Sequence, residues 1–265
     1  MQQRGAGEER FQIENLKVEI YQTRKDAGFA AAQAAAEELK RLGPKEKDAI
    51  GVIFATGASQ LETLRALVRI PDVPWDRICG FHMDEYVGIA KDHRASFRVY
   101  LRKELTQKVP MRRFYEIDGN ASDPEKYCQN YADALQAARP QLCLLGIGEN
   151  GHLAFNDPGA ADFDDPRDMK IVALDDECRQ QQVTEGWFAG TAEVPAQAMT
   201  LTIPTLLRVP KLIVSVPGLR KAKIVNRALH EAISTACPAT ILRTHADATV
   251  YLDEESASEL QKSIA

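Results

Sequence analysis

No run of about 18 apolar residues occurs in the chain, which leaves no segment shaped like a membrane-crossing helix. The first ten residues are polar and lack the apolar stretch of a secretory leader, so a cytoplasmic protein is predicted. Cysteine is scarce: the five residues Cys79, Cys128, Cys143, Cys178 and Cys237 form no C-x-x-C pair and have no histidine at zinc-finger spacing. A disulfide framework and a structural zinc site are therefore not expected. Positive charge is not in excess, with 33 Lys and Arg against 38 Asp and Glu, a net charge of -5 and a pI near 5.6. That balance argues against a general nucleic-acid binder but leaves room for a local basic pocket facing an anionic small molecule. No Walker A sequence, internal repeat or linker is present. The one biased stretch, an alanine cluster over residues 29–36, reads as helix propensity rather than function.

What remains is an ordinary globular composition, 265 residues with 45% hydrophobic and 27% charged. Strand-like and helix-like segments alternate, which implies parallel strands joined by crossover helices. Strands are predicted over residues 16–21, 50–54, 78–83, 114–117, 142–147, 169–172, 199–203, 212–216 and 249–252. Helices are predicted over residues 25–42, closed by Gly43 and Pro44, and over 61–68, 96–105, 124–138 and 219–233, with a last one from 254 onward. The expected fold is α/β: a single-domain, open, mainly parallel sheet flanked by helices, Rossmann-like. A polar N-terminal extension of residues 1–15 would precede that domain at 16–265.

The most informative segment runs from Leu144 to Pro158, where an apolar run stops at Gly146, Gly148 and Gly151 and delivers His152 between Asn150 and Asp157. Clustered glycines let the backbone turn sharply and approach a ligand closely. An imidazole whose tautomer is fixed by an amide or carboxylate can accept and return a proton near neutral pH, so acid/base chemistry is expected here. These glycines also match the G-x-G-x-x-G dinucleotide fingerprint. That fingerprint needs a helix opening at its third glycine, whereas Asn156-Asp157-Pro158-Gly159 is turn chemistry, so nicotinamide binding is not favoured. The bland alternative is a buried loop histidine with a structural hydrogen bond.

In open α/β sheets a ligand lies beyond the carboxyl ends of the strands, which makes residues just after strands candidates by geometry. Thr56, Gly57, Ala58 and Ser59 follow one strand, Asp84 another, His152 a third, and Lys221 opens the helix after Val216-Pro217-Gly218. Singly, such residues are often only helix caps. Jointly, the 56–59 loop and the start of the Lys221 helix offer backbone N–H groups and positive potential for a phosphate. Without a Walker A sequence, a sugar phosphate fits better than a nucleotide. Asp84 and Glu85 are adjacent, so in extended chain their side chains diverge and one faces the pocket; Asp84 is the candidate. Asp72, Asp175 and Asp176 differ from it in nothing but position.

These residues carry a resemblance that extends over nearly the whole chain. Ala55-Thr-Gly-Ala-Ser59, Met83-Asp-Glu-Tyr-Val-Gly88, His93-Arg-Ala-Ser-Phe97, the 145–158 segment and Gly218-Leu-Arg-Lys-Ala222 resemble the glucosamine-6-phosphate deaminase (isomerase) family, within the 6-phosphogluconolactonase-like superfamily. The lactonases continue as Ala-Ser-Leu-Phe-Pro where this chain has Ala-Phe-Asn-Asp-Pro, which favours the aminosugar branch.

The resemblance implies conversion of glucosamine 6-phosphate to fructose 6-phosphate and ammonia, without metal or organic cofactor. His152 would relay the ring-opening proton, Asn150 and Asp157 would orient it, and Asp84 would carry the proton from C2 to C1. Lys221 and the 56–59 loop would hold the phosphate. The implied partner is a small phosphosugar, with no nucleic acid and no membrane; a homo-oligomer is open.

Three departures stand out. Asn150 occupies a position that is Asp in well-known members, and Asp157 one that is Glu in many. Of two arginines usual in the 178–188 segment, Arg179 matches the first, assigned here to phosphate binding, while the second falls near Glu185-Gly186. Lys170 lies where some members hold an allosteric phosphate and is read as a solvated lysine. A related phosphosugar isomerase, a 6-phosphogluconolactonase-like hydrolase and a non-catalytic sugar-phosphate sensor remain alternatives. The sensor is disfavoured because only about 15 residues precede the first expected strand, too few for a helix-turn-helix module.

Overall fold

The computed structural model describes residues 9–43 and 49–260. Its frame is an eight-stranded sheet in the order β1-β2-β11-β10-β7-β3-β4-β6. The strands are β1 (Glu9–Ile13), β2 (Leu16–Tyr21), β3 (Ile50–Phe54), β4 (Ile78–His82), β6 (Arg113–Tyr115), β7 (Leu142–Leu145), β10 (Lys211–Ser215) and β11 (Ala248–Asp253). Every neighbouring pair is parallel except the β1–β2 hairpin. Strands β3 and β7 are buried along their whole length, which explains their unbroken apolar sequences: both faces of a parallel sheet are covered.

Side chains divide between the two faces with period two. Ile50, Val52, Phe54, Leu142 and Leu144 pack with Ala31, Ala35, Leu64 and Leu67 from α1 (Arg24–Leu42) and α2 (Leu61–Leu67). Ile53, Cys143 and Leu145 share the opposite core with Tyr131 and Leu135 of α4 (Pro124–Ala138) and Ile224, Val225 and Ala228 of α7 (Ala222–His230). The alanine cluster therefore does more than favour helix. Its small side chains let α1 lie close to the sheet and α2, so close that a Cβ at Gly28 would sit 2.5 Å from Glu62 Cβ. Thr23 opens α1 by accepting the Asp26 N–H on its hydroxyl at 3.2 Å.

Several expectations shift. Part of the supposed N-terminal extension, Glu9–Ile13, is edge strand β1 of the main sheet; residues 1–8 and Pro44 lie outside the described residues. The helix predicted over 96–105 forms as α3 (Phe97–Leu101) running into a π turn, Arg102–Thr106. The helix predicted from 254 is instead a set of turns through residue 260, opened by Asp253, which accepts the Ser256 N–H at 2.8 Å; residues 261–265 are not described.

The largest change concerns segments 169–172 and 199–203. They form β8 (Met169–Ala173) and β9 (Gln197–Leu201), which with β5 (Asp84–Tyr86) make a separate three-stranded antiparallel sheet, not part of the parallel one. Between β8 and β9 lies α5 (Asp176–Thr184), and α6 (Ile203–Leu207) follows β9. Apolar pattern identifies a strand but not its partner, and no crossover helix separates β7 from β8.

Candidate active site

Four neighbouring strands of the main sheet, β10, β7, β3 and β4, end at one cleft of about 330 Å³, within the range of small-molecule sites. Its wall includes Thr56, Gly57, Ala58, Ser59, Asp84, Gly146, Gly148, His152 and Lys221. The structure thus brings together the residues that follow four separate strands.

The loop after β7 is built around His152. Gly151 takes φ +92°, a conformation that glycine reaches without steric cost. Gly148 lies directly against the imidazole, and a Cβ there would fall 2.2 Å from His152 Nε2. The Gly148 N–H donates to the His152 carbonyl at 3.0 Å, and the His152 N–H donates to Asn150 Oδ1 at 3.0 Å. Asn150 Nδ2 in turn donates to Asp157 Oδ1 at 3.0 Å and Asp175 Oδ2 at 3.3 Å.

His152 Nδ1 is 2.8 Å from Asp157 Oδ1, so the carboxylate fixes the ring and leaves Nε2 on the other side. Burial pushes the Asp157 carboxyl up, but the hydrogen bond and charge of His152, helped by the Asn150 amide, outweigh it and hold it below its usual range. As expected, no helix opens at the third glycine; isolated bridging joins Leu153 to Asn156 instead.

Asp84 comes from the short second sheet, where the chain leaves β4 and turns to pair Asp84 with Thr200. Its carboxyl lines the cleft, is almost wholly buried, and has one oxygen without a hydrogen-bond partner. Burial, reinforced by neighbouring Glu85, pushes its pKa well above the usual carboxylate value. Glu85 points the other way, accepting from Ser96 Oγ at 2.7 Å and the Arg98 N–H at 3.2 Å. The divergence expected of adjacent residues is what the structure shows.

Beneath Asp84, His82 is sealed in the core; burial drives its pKa to about 3, and as a neutral ring it accepts the Ile117 N–H. Strand β9 ties the two halves of the site together. It pairs with β5, and it also holds the histidine loop through Thr200 Oγ1, which accepts the Phe155 N–H at 3.0 Å, and the Leu201 carbonyl, which accepts Asn156 Nδ2 at 2.9 Å.

At the other end of the cleft, Gln60 Nε2 donates to the Leu145 carbonyl at 3.0 Å and Tyr100 donates to the Gly57 carbonyl at 2.9 Å, which fixes the 56–59 loop. Gly218 is held by Asp253, which accepts its N–H at 2.9 Å. Lys221 projects into the cleft from the short helical turn Leu219–Lys221, and burial lowers its pKa.

Sequence reasoning missed Arg24, which opens α1 and lines the same end of the cleft; its Nη2 comes within 3.8 Å of where a Cβ on Gly218 would lie. Nothing in the sequence distinguishes it from a surface arginine in the first turn of a helix. Gln181 and Trp187 also line the cleft and hold Glu185, whose carboxylate accepts Gln181 Nε2 at 2.8 Å and Trp187 Nε1 at 3.2 Å.

Two assignments change. Arg179 is not among the lining residues: its guanidinium turns to the Thr191 and Val194 carbonyls and to Asp176, because α5 presents that face to the 191–194 turn. Lys170 is not solvated but buried, its ammonium 3.0 Å from Asp165 Oδ2 and donating to the Ala160 carbonyl at 2.7 Å. Among the described residues no helix is long and apolar enough to cross a membrane.

Residues 22–251 match the family described as glucosamine-6-phosphate isomerases/6-phosphogluconolactonase. A glucosamine-6-phosphate deaminase of Bacillus thuringiensis (strain Al Hakam) is 34% identical over 221 residues, 83% of this chain and 81% of that protein. A solved structure of a monomeric glucosamine-6-phosphate deaminase superposes with a TM-score of 0.83 at 31% identity, covering 91% of this chain and 99% of the other. The 6-phosphogluconolactonase of Thermotoga maritima has a TM-score of 0.71 at 20% identity over 89% of this chain and 98% of its own, a likeness of fold.

Proposed function

Since the chain belongs to the glucosamine-6-phosphate isomerase/6-phosphogluconolactonase family, we propose that it converts glucosamine 6-phosphate and water to fructose 6-phosphate and ammonia in aminosugar catabolism. The observation that carries this reading is a pair of buried carboxyl groups in opposite states, Asp84 lining the cleft and Asp157 behind its histidine. Asp84 is unpartnered and pushed up, whereas Asp157 is paired with His152 and held down. Groups whose environments drive their pKa values apart divide the acid and base roles between them.

The pyranose must open before C1 and C2 can exchange a proton. His152, with Nδ1 anchored on Asp157, takes the O1 proton on Nε2 and returns it to O5. Asp157 stabilises the imidazolium formed in between, and Asn150 holds the loop in register. Asp84 then removes the C2 proton and delivers it to C1. A carboxylate with a raised pKa is the stronger base. The product is an imine at C2, which water hydrolyses with release of ammonia. Proton transfers and one hydrolysis account for the whole conversion, so the reaction as written is cofactor-independent.

The phosphate fits the end of the cleft where the Thr56, Gly57, Ala58 and Ser59 loop meets Lys221 and Arg24. Arg24 supplies the second cation that the 178–188 segment does not. Binding energy gathered there aligns C1 and C2 between Asp84 and His152. A cytoplasmic setting accords with five cysteines that are all free thiols.

The test is ammonia and fructose 6-phosphate formation from glucosamine 6-phosphate, with N-acetylglucosamine 6-phosphate, glucose 6-phosphate and 6-phosphogluconolactone alongside. Equal amounts of ammonia and ketose are expected from the first substrate alone. Turnover of the lactone without ammonia from the aminosugar would replace the proposal with lactone hydrolysis.

A further inference from the structure

Directly behind the His152 ring, a third group joins the histidine and its carboxylate. The donor atoms of His152, Asp157 and Cys178 all lie within 4.8 Å of one another, although Cys178 comes from α5 and the other two from the glycine loop. Asp157 and Cys178 are each 1% exposed, and His152 connects them to the open cleft. Asp157 Oδ2 is buried without an N–H or O–H donor, and the Cys178 thiol is the group directed at this carboxylate. The proposed proton relay uses neither that oxygen nor the thiol.

We propose that His152, Asp157 and Cys178 form a site for a soft divalent cation such as zinc, and that its occupation shuts the enzyme off. The donor chemistry selects the ion. Thiolate with imidazole suits zinc and its congeners, whereas magnesium and calcium prefer all-oxygen sets. Zinc bonds of about 2.0 to 2.3 Å place tetrahedral donors about 3.3 to 3.8 Å apart, so the three atoms need only small movements to share one ion. Three protein ligands leave a fourth position for water.

Binding replaces protons with the metal. Cys178 loses its S–H proton and His152 Nδ1 the proton shared with Asp157, so up to two protons are released per ion. With zinc in place, His152 is fixed as a ligand and can no longer cycle through the imidazolium that ring opening needs. The metal site itself stands on geometry alone; only its inhibitory effect rests on the proposed deaminase reaction.

Cobalt(II) is the direct probe, because it occupies zinc sites and reports its ligands by absorption. One equivalent added to the metal-free full-length protein should give a near-ultraviolet thiolate-to-cobalt band and visible bands of a four-coordinate ion, both displaced by zinc. In the deaminase assay, zinc should inhibit and a chelator should restore the rate. Cys178→Ala and Cys178→Ser should lose the thiolate band and need at least tenfold more zinc for half-inhibition relative to their own metal-free rates. Cys79→Ser should keep both properties. Absence of the thiolate band in the wild-type protein would overturn the proposal, as would wild-type zinc sensitivity in both Cys178 variants. Should those variants fail to fold, the wild-type spectrum and the loss of cobalt binding in His152→Gln decide the matter. A protein that binds cobalt as described but releases no ammonia keeps its metal site and loses the assigned reaction.

Discussion

Asp84 lines the cleft and Asp157 stands behind its histidine, both almost fully buried, yet they lie in opposite electrostatic states. Asp84 sits at the end of a three-residue strand with Glu85 as its charged neighbour and an unpartnered oxygen. Asp157 sits in a loop whose backbone turns deliver His152 Nδ1 and Asn150 Nδ2 to the same oxygen, Oδ1. Burial acts upward on both carboxyls, so their partners decide the outcome: the one without donors becomes a base held in reserve, and the one with donors becomes a fixed anion.

The sharpest way to break this comparison is Asp84→Asn. Turnover and C2 proton exchange, followed in deuterated water, should fall by about 10³-fold or more, because the amide cannot accept the proton. The same variant should be more stable than wild type at neutral pH by roughly 1–3 kcal/mol, the range for relieving an unpaired buried group. The sign follows from the raised pKa. The stability Asp84 contributes is present below the ordinary carboxylate range and lost as pH rises through its folded value. A variant that turned over normally, or melted lower at pH 7 than the wild type, would refute the unpartnered base.

Asp157→Ala should reverse the stability effect. Wild-type Asp157 contributes stability above the ordinary carboxylate range and loses it as pH falls through its lowered value, so the variant should be less stable at neutral pH and converge with wild type in acid. Its kcat should drop by about 10- to 100-fold, since His152 keeps its place but loses its counter-charge. Parallel melting curves at all pH values would mean that the pair contributes nothing.

Weaker effects are expected at the phosphate end, where the cations differ in exposure. Lys221→Met should lower kcat/KM about 10- to 100-fold, mostly through KM, and exposed Arg24→Gln about 3- to 10-fold. Arg179→Gln, whose side chain faces the 191–194 turn, should leave KM within about twofold of wild type. An Arg179 effect larger than that of Arg24 would reinstate the sequence assignment.

The histidine loop was legible because glycine and turn residues announce backbone geometry locally, and Asn150, His152 and Asp157 lie within eight residues of one another. Asp84 was legible by its place after a strand. Arg24 and Cys178 were not, since their roles come from residues more than 20 positions away along the chain. The mistaken placements share that cause: β8 and β9 carry ordinary strand patterns, and the apolar face that marks a strand says nothing about which neighbour it will pair with.

The sequence alone determined the alternating α/β order, the buried parallel strands and the turn that offers His152, because each depends on periodicity or on backbone preferences within a few residues. Tertiary structure decided the rest. It detached β5, β8 and β9 into a second sheet, raised one buried carboxyl while lowering the other, turned Arg179 away from the cleft and Arg24 toward it, and set a thiol behind the His152–Asp157 pair. Strand partners and the surroundings of a charge are long-range quantities, set by which atoms meet after the chain has packed.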